Sequence, residues 1–326
     1  MTSPRNSARP VPADDAAIRA AAAHLATGEL VAFPTETVYG LGADATNDAA
    51  VAKIYAAKGR PSFNPLIVHC ADMETARRFA VIEGPALDLA RAFWPGPFTL
   101  VAPRHADCPL APRVSAGLAT VAIRVPRHPV AQALLAAFNG PIAAPSANRS
   151  GRISPTRAEH VAAELGGKVA MILDGGPCEK GLESTIVGIH DCRVELLRPG
   201  SITPDAIAAA CGLPVVGTGP EVAITAPGQL ASHYAPRARL RLNAVRAAPH
   251  EALLAFGPDV PEGAAAVLNL SPTGDLEEAA RNLFAMLRRL DDAGYDAIAA
   301  MPVPEEGAGI AINDRLRRAA APRNAA

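Results

Sequence analysis

Where short apolar runs end, this sequence repeatedly places hydroxyls, cations and glycines. The first such stretch is Phe33-Pro34-Thr35-Glu36-Thr37-Val38-Tyr39-Gly40-Leu41-Gly42. Hydroxyls at a strand end can donate to a small polar ligand, and glycines let a ligand approach the backbone. A tight turn capped by a threonine accounts for the same residues equally well. The second stretch is Lys58-Gly59-Arg60-Pro61, followed by Asn64-Pro65-Leu66-Ile67-Val68-His69. The chain has only four lysines, Lys53, Lys58, Lys168 and Lys180. Lys58 and Arg60 sit where a helix ends, and two cations there can converge on phosphate or carboxylate. Lys58 also simply complements a helix C-terminus, and a lone strand-end histidine such as His69 reads first as structural. In the third stretch, Thr120-Val121-Ala122-Ile123-Arg124-Val125-Pro126, the period of two puts Thr120, Ala122 and Arg124 on one face. An arginine in an apolar strand is costly unless an anion meets it, whether a ligand carboxylate or an internal partner. The fourth, Ala144-Pro145-Ser146-Ala147-Asn148-Arg149-Ser150-Gly151 with Ser154 beyond, suits an anion-binding loop of exposed backbone N–H groups. Glu183-Ser184-Thr185-Ile186-Val187 and Leu197-Arg198-Pro199-Gly200 add another strand-start hydroxyl and another strand-end arginine.

No Gly-x-x-x-x-Gly-Lys-Ser/Thr loop and no Gly-x-Ser-x-Gly elbow occurs, which counts against a P-loop ATPase and an α/β-hydrolase. No Ser, Cys or His stands out as a covalent nucleophile. The inventory points to a concave site of cations and hydroxyls that holds several anionic groups together.

The elements that must position these residues follow from pattern. Short β-branched runs predict strands at Leu30–Phe33, Leu66–Cys70, Phe98–Ala102, Val121–Val125, Ile142–Ala144, Val169–Leu173, Thr185–Ile189 and Val194–Leu197. Helices are expected at Asp14–Thr27, Asp48–Lys58, Met73–Phe79, Pro85–Phe93, Pro129–Phe138, Arg157–Leu165 and Pro204–Ala210. Thr46 or Asn47 can cap the second of these and Gly59 can stop it. Consecutive strands interrupt the alternation, so the sheet should be mixed and twisted. The Pro- and Gly-rich stretch 214–237 reads as a linker. Beyond it, strands near Leu240–Asn243, Ala252–Phe256, Ala266–Leu270 and Ala297–Met301, with helices Leu276–Leu290 and Gly309–Ala320, make a small α/β domain. Two domains also fit a length of 326 residues.

Lys plus Arg number 31 and Asp plus Glu 32, a formal net charge of −1, which argues against a protein that neutralises phosphate along a nucleic acid. No run approaches the ~18 apolar residues of a membrane-spanning helix. Residues 1–13 contain no apolar core of a secretory signal. Five scattered cysteines, an odd number with no metal-ligand spacing, fit a reduced cytoplasm, and the eight histidines form no zinc-binding cluster.

Taken in order, these segments resemble the YrdC-type family of threonylcarbamoyl-AMP synthases. The resemblance rests on Pro34 through Leu41, Lys58 through Pro61, Asn64 through His69, Trp94-Pro95-Gly96-Pro97-Phe98-Thr99-Leu100, Ala144 through Asn148 and Glu183 through Val187. It spans nearly all of residues 15–210. The tail is similar to the longer, two-domain form, through Ser232-His233-Tyr234-Ala235-Pro236 and Ala311-Ile312-Asn313-Asp314-Arg315-Leu316. The resemblance implies a twisted mixed-sheet catalytic domain over 1–213, a linker or lid over 214–237 and a small Rossmann-like α/β domain over 238–326. It implies the conversion of L-threonine, bicarbonate and ATP, with Mg²⁺ on the triphosphate, to threonylcarbamoyl-AMP and pyrophosphate. The product would pass to a separate tRNA threonylcarbamoyl-transfer machinery, with no direct tRNA binding required.

Carried over by the resemblance, Thr35, His69, Arg124, Ala144 (through its backbone) and Ser184 hold threonine. Lys58, Ser62, Thr120, Ser146, Ser154, Arg198 and Tyr234 hold ATP. Arg60 and Asn148 complete the Lys-x-Arg and Ser-x-Asn signatures and position bicarbonate or the carbamate, so Lys58, Arg60, Ser146 and Asn148 form the catalytic group. No protein side chain is expected to ligate metal. Two departures stand out: Leu230, Ala231 and Ser232 replace basic residues before His233, and Gly188 replaces an acid. Two other readings stay open. One is a carbamoyl-adenylate-forming relative like the domain of hydrogenase-maturation carbamoyltransferases, although no Cys-x-x-Cys is present. The other is a double-stranded RNA-binding module, which the net charge disfavours.

Overall fold

The computed structural model describes residues 7–217 and 232–322. Among these, one large sheet contains β1 (Pro10–Pro12), β2 (Val31–Phe33), β3 (Gly40–Asp44), β4 (Ile67–His69), β5 (Phe98–Pro103), β6 (Thr120–Arg124), β7 (Ile142–Ala143), β8 (Met171–Asp174), β9 (Thr185–His190), β10 (Arg193–Arg198) and β11 (Val215–Gly217). Their spatial order is β1-β8-β2-β3-β7-β4-β6-β5-β9-β10-β11. The sheet is mixed, as the sequence predicts: β2/β3, β5/β6 and β9/β10 are antiparallel, whereas β4/β6 and β5/β9 are parallel. Helices α1 (Asp15–Ala26), α2 (Asp48–Lys58), α3 (Met73–Arg77), α4 (Pro85–Phe93), α5 (Pro129–Phe138), α6 (Ala158–Leu165) and α7 (Pro204–Cys211) connect these strands.

Helix α2 shows how local signals place a functional side chain. Asn47, not Thr46, caps it by accepting from the Ala50 amide, and Gly59 ends it at φ 62. Ala50, Val51, Ile54 and Tyr55 are buried, and so is Lys58 in the last turn.

Three strands lie where the sequence reads as loop. β3 contains Gly40 and Gly42, poor strand formers by propensity. Packing explains them: a Cβ on Gly42 would stand 2.9 Å from Phe33 Cε1 and 3.0 Å from Ile142 Cγ2. β1 carries two prolines, which an edge position tolerates. β11 pairs with β10 inside the stretch read as linker, so that stretch begins as part of the sheet.

The second domain contains β12 (Arg239–Arg241), β13 (Ala252–Ala255), β14 (Ala266–Asn269), α8 (Leu276–Asp292), β15 (Ala297–Ala300) and α9 (Ala308–Ala320). Its sheet is parallel, in the order β12-β15-β13-β14. Leu283, Phe284, Leu287 and Leu290 of α8 are buried. They share one apolar cluster with Val38, Ile153 and Leu182 of the first domain and with Tyr234. The two domains therefore exclude water from a common core.

The two domains pack closely at Gly181. Its φ is +71, and a Cβ there would lie 2.4 Å from the Arg281 carbonyl oxygen and 2.5 Å from the Arg281 Cα on α8. Gly181→Ala is expected to destabilise the chain by about 1–3 kcal/mol, through overpacking and a strained backbone. Urea denaturation checks this. An unchanged midpoint would mean that α8 can move off this loop without cost.

Candidate active site

The turn between β2 and β3 is built around Thr35. Its hydroxyl receives the Thr37 and Val38 amides at 3.2 Å each and donates to the Val38 carbonyl at 2.6 Å. The Thr37 hydroxyl lies 2.7 Å from it. Thr35 is thus the cap of a tight turn, and it also lines a cleft. Thr37 in turn accepts from Arg124 Nη1 at 2.9 Å.

Strand pairing brings the remaining residues to the same place. β4 lies between β6 and β7, and the register sets His69 beside both Arg124 and Ile142. Arg124 is buried on the face predicted from its period. Its Nε donates to the Gly96 carbonyl, and its Nη2 lies 2.8 Å from Glu36 Oε1. The carboxylate is held below its usual range: burial raises its pKa, but the Arg124 cation outweighs that. Ala144 donates its amide to the Ile67 carbonyl, and Ser146 pairs with Gly40.

These residues meet at one narrow cleft. Thr35, Arg60, His69, Arg124, Ala144, Ser146, Arg198 and Tyr234 all line it. Lys58 and Asn148 stand in the wall behind Ser146. Lys58 Nζ donates to the carbonyls of Ser146 at 2.6 Å and Asn148 at 2.5 Å. Asn148 Nδ2 holds the Arg149 and Arg152 carbonyls, and its Oδ1 is buried without a partner. Ser184 lies behind Arg198, with Oγ 2.7 Å from Thr99 Oγ1 and 3.1 Å from Arg198 Nη2. Ser154 is behind Glu183 and donates to its Oε1 at 2.5 Å. Two candidates stand apart from the cleft lining: Ser62 is exposed in the turn after α2, and Thr120 lies four residues before Arg124, ~13 Å along β6.

Burial works against the cations gathered in this pocket. Lys58 is pushed well below the usual lysine range by burial and by the nearby Arg60 cation. Arg60 is itself lowered to about 10 by burial and by Arg198, so it remains charged at neutral pH. Glu183, Thr37 and His233 also line the cleft or its edge and were not among the residues carried over. Glu183 is held below the usual carboxylate range; burial raises it, and Arg315 and Arg198 more than reverse this.

Residues 218–231, including Leu230 and Ala231 of the expected lid, lie outside the described residues. His233 and Tyr234 are buried. Tyr234 sits at φ 63 with its ring 4.0 Å from His233 and 5.4 Å from Phe284. It therefore packs at the domain interface and lines the cleft at the same time. The Ala235 amide donates to the Gly151 carbonyl, tying the segment to the Ser-x-Asn loop.

Two family models and several known proteins match this chain. A family model described as "Telomere recombination" (Sua5/YciO/YrdC) matches residues 23–200, and one described as "Threonylcarbamoyl-AMP synthase, C-terminal domain" matches residues 202–321. The chain is 45% identical to a threonylcarbamoyl-AMP synthase of Bacillus subtilis over 332 residues, 94% of each chain. It is 42% identical to one of Pyrococcus abyssi over 320 residues, 93% of each. A crystal structure of P. abyssi Sua5 complexed with L-threonine superposes with a TM-score of 0.85 at 40% identity, covering 93% of this chain and 94% of that one.

One residue of the site carries a pH consequence. Burial first, and then the Arg124 cation, lower the His69 pKa from 6.5 to about 3. Between those values an unfolded chain binds a proton that the folded chain lacks, so this group costs stability as pH falls through the window. In His69→Gln the fall in denaturation midpoint between about pH 7 and pH 4.5 is expected to be shallower. Equal slopes for the two proteins would mean that the imidazole protonates inside the fold.

Proposed function

This chain belongs to the threonylcarbamoyl-AMP synthase family, and from that premise we propose how its cleft joins L-threonine, bicarbonate and ATP into threonylcarbamoyl-AMP with release of pyrophosphate. The observation that carries the reading is the distribution of cations and hydroxyls around one cleft. Arg124, with Thr35, His69 and the Ala144 backbone, faces one set of anionic groups. Arg60 and Arg198 face another, with Lys58 behind Ser146.

Threonine binds at the Arg124 end. Its carboxylate takes the guanidinium now paired with Glu36, as a charge-assisted, two-pronged contact. Neutral His69 has its Nδ1 buried without a partner, so it can accept a hydrogen bond from the amine without adding a second positive charge. The free amine attacks the carbonyl carbon of bicarbonate, water leaves, and a carbamate forms. A carbamate oxygen then attacks the α-phosphorus of ATP, and pyrophosphate departs. Each reactant is anionic, so the protein's contribution is alignment and charge compensation. Among the described residues the Lys58 Nζ bonds only carbonyls, and burial disfavours its charge. A phosphate at Ser146 would supply the missing counter-charge.

Mg²⁺ enters with the triphosphate as part of the substrate. Among the described residues, Glu183 is the one carboxylate lining the cleft, and Ser154 and Arg315 occupy it. This donor set fits a metal held by phosphate and water. Five free cysteines support a reducing, cytoplasmic setting. The product, a mixed anhydride, would be passed to a separate tRNA-transfer machinery.

Arg124→Lys separates the two ends of the cleft. It keeps the charge and loses the fork, so calorimetry is expected to show threonine binding weakened by about tenfold or more, the cost of one charge-assisted bond. Pyrophosphate affinity should stay within about threefold. Equal losses for both ligands would contradict the division of the cleft.

A further inference from the structure

Glu183 is a carboxylate in the wall of a cleft that otherwise presents cations. Left alone it would oppose any phosphate that enters, since like charges disfavour one another at short range. Two groups counter it. Ser154 Oγ donates to Oε1, and Arg315 Nε donates to Oε2 at 2.9 Å. Ser154 belongs to the first domain, but Arg315 comes from α9 in the second.

Arg315 is fully buried, with its side chain 0% exposed. Its Nη1 donates to Asp314 at 2.7 Å, and its guanidinium carbon lies 5.2 Å from the centroid of the Tyr234 ring. Among the described residues its Nη2 has no partner. The Tyr234 hydroxyl and His233 Nδ1 also have none, and both residues line the cleft. Buried polar groups are rarely left unsatisfied, and three in one corner mark a place where a ligand's acceptors and donors belong.

We infer that Arg315 is a positioning residue through which the C-terminal domain sets the charge of the phosphate end of the cleft, neutralising Glu183 and seating the Tyr234 ring. The inference rests on the reading of that end as the phosphate site. With Arg315 in place, Glu183 is held by its own partner beside the Arg60 and Arg198 that line the cleft. Without it, Glu183 turns its charge on the phosphates and competes with them for Arg198.

Calorimetry on the full chain, with inorganic pyrophosphate and separately with L-threonine, tests this. Arg315→Met is expected to weaken pyrophosphate by about tenfold or more while leaving threonine within about twofold. Adding Glu183→Gln to Arg315→Met should restore most of the pyrophosphate affinity, because the opposing charge is gone. A purely structural role for Arg315 would not be rescued in that way. Arg315→Lys, which keeps the charge and disturbs packing less, should hold pyrophosphate within about threefold, and it decides the matter if Arg315→Met fails to fold. Undiminished pyrophosphate binding by Arg315→Met, a double variant as weak as the single one, or a Lys variant as weak as the Met variant would each overturn the inference. Failure of the unaltered chain to bind pyrophosphate would overturn the reading of the cleft itself.

Discussion

Positive charge buried around one cleft is the constraint on which this structure turns. Lys58, Arg60, Arg124, Arg198 and Arg315 are all buried around one cleft, and among the described residues the carboxylates paired with them are Glu36, Glu183 and the half-buried Asp314. Removing an ion from water costs several kcal/mol unless partners repay it. The fold meets part of that cost with carbonyls: Ser146 and Asn148 for Lys58, Asn64 and Pro65 for Arg60, Gly96 for Arg124, Ser184 for Arg198. Carbonyls orient a cation but do not cancel its charge. Anionic ligands do, so the architecture that is expensive in the empty protein becomes favourable in the loaded one.

Many features of the scaffold serve to bring those cations together. β4 between β6 and β7 sets His69 and Arg124 side by side, and the cap and stop of α2 place Lys58. Gly42 admits the Phe33 ring, which meets His69 edge-on at 6.1 Å. The second domain contributes Phe284 beneath Tyr234 and Arg315 beside it, and Gly181 allows the two domains to approach within contact of their backbones. Closing such a site excludes water and strengthens every charge interaction within it.

Much of this was legible in the residues and some was not. The helix α2, with Asn47 and Gly59 at its ends, follows from local signals, as does the shared face of Thr120 and Arg124. The strand β3 escapes that reading because its two glycines lack propensity and owe their place to packing against β2 and β7. That His69 neighbours Arg124 depends on pairing between strands some fifty residues apart, which no local pattern encodes. Arg315 is the clearest case. It interrupts the apolar stripe Ala311, Ile312, Leu316 and Ala319 of α9, and a charge on such a face implies a buried partner. The partner, Glu183, is 132 residues away in sequence, so the stripe reveals the need and only the fold reveals what meets it.

The central claim, that one cleft gathers three anionic reactants by charge compensation and alignment alone, is tested most directly by ATP–pyrophosphate exchange on the full chain with each reactant omitted in turn. The account predicts exchange only when L-threonine, bicarbonate and Mg-ATP are all present. Exchange that proceeds equally well without threonine would contradict it, because the α-phosphorus would then be attacked by something other than the carbamate.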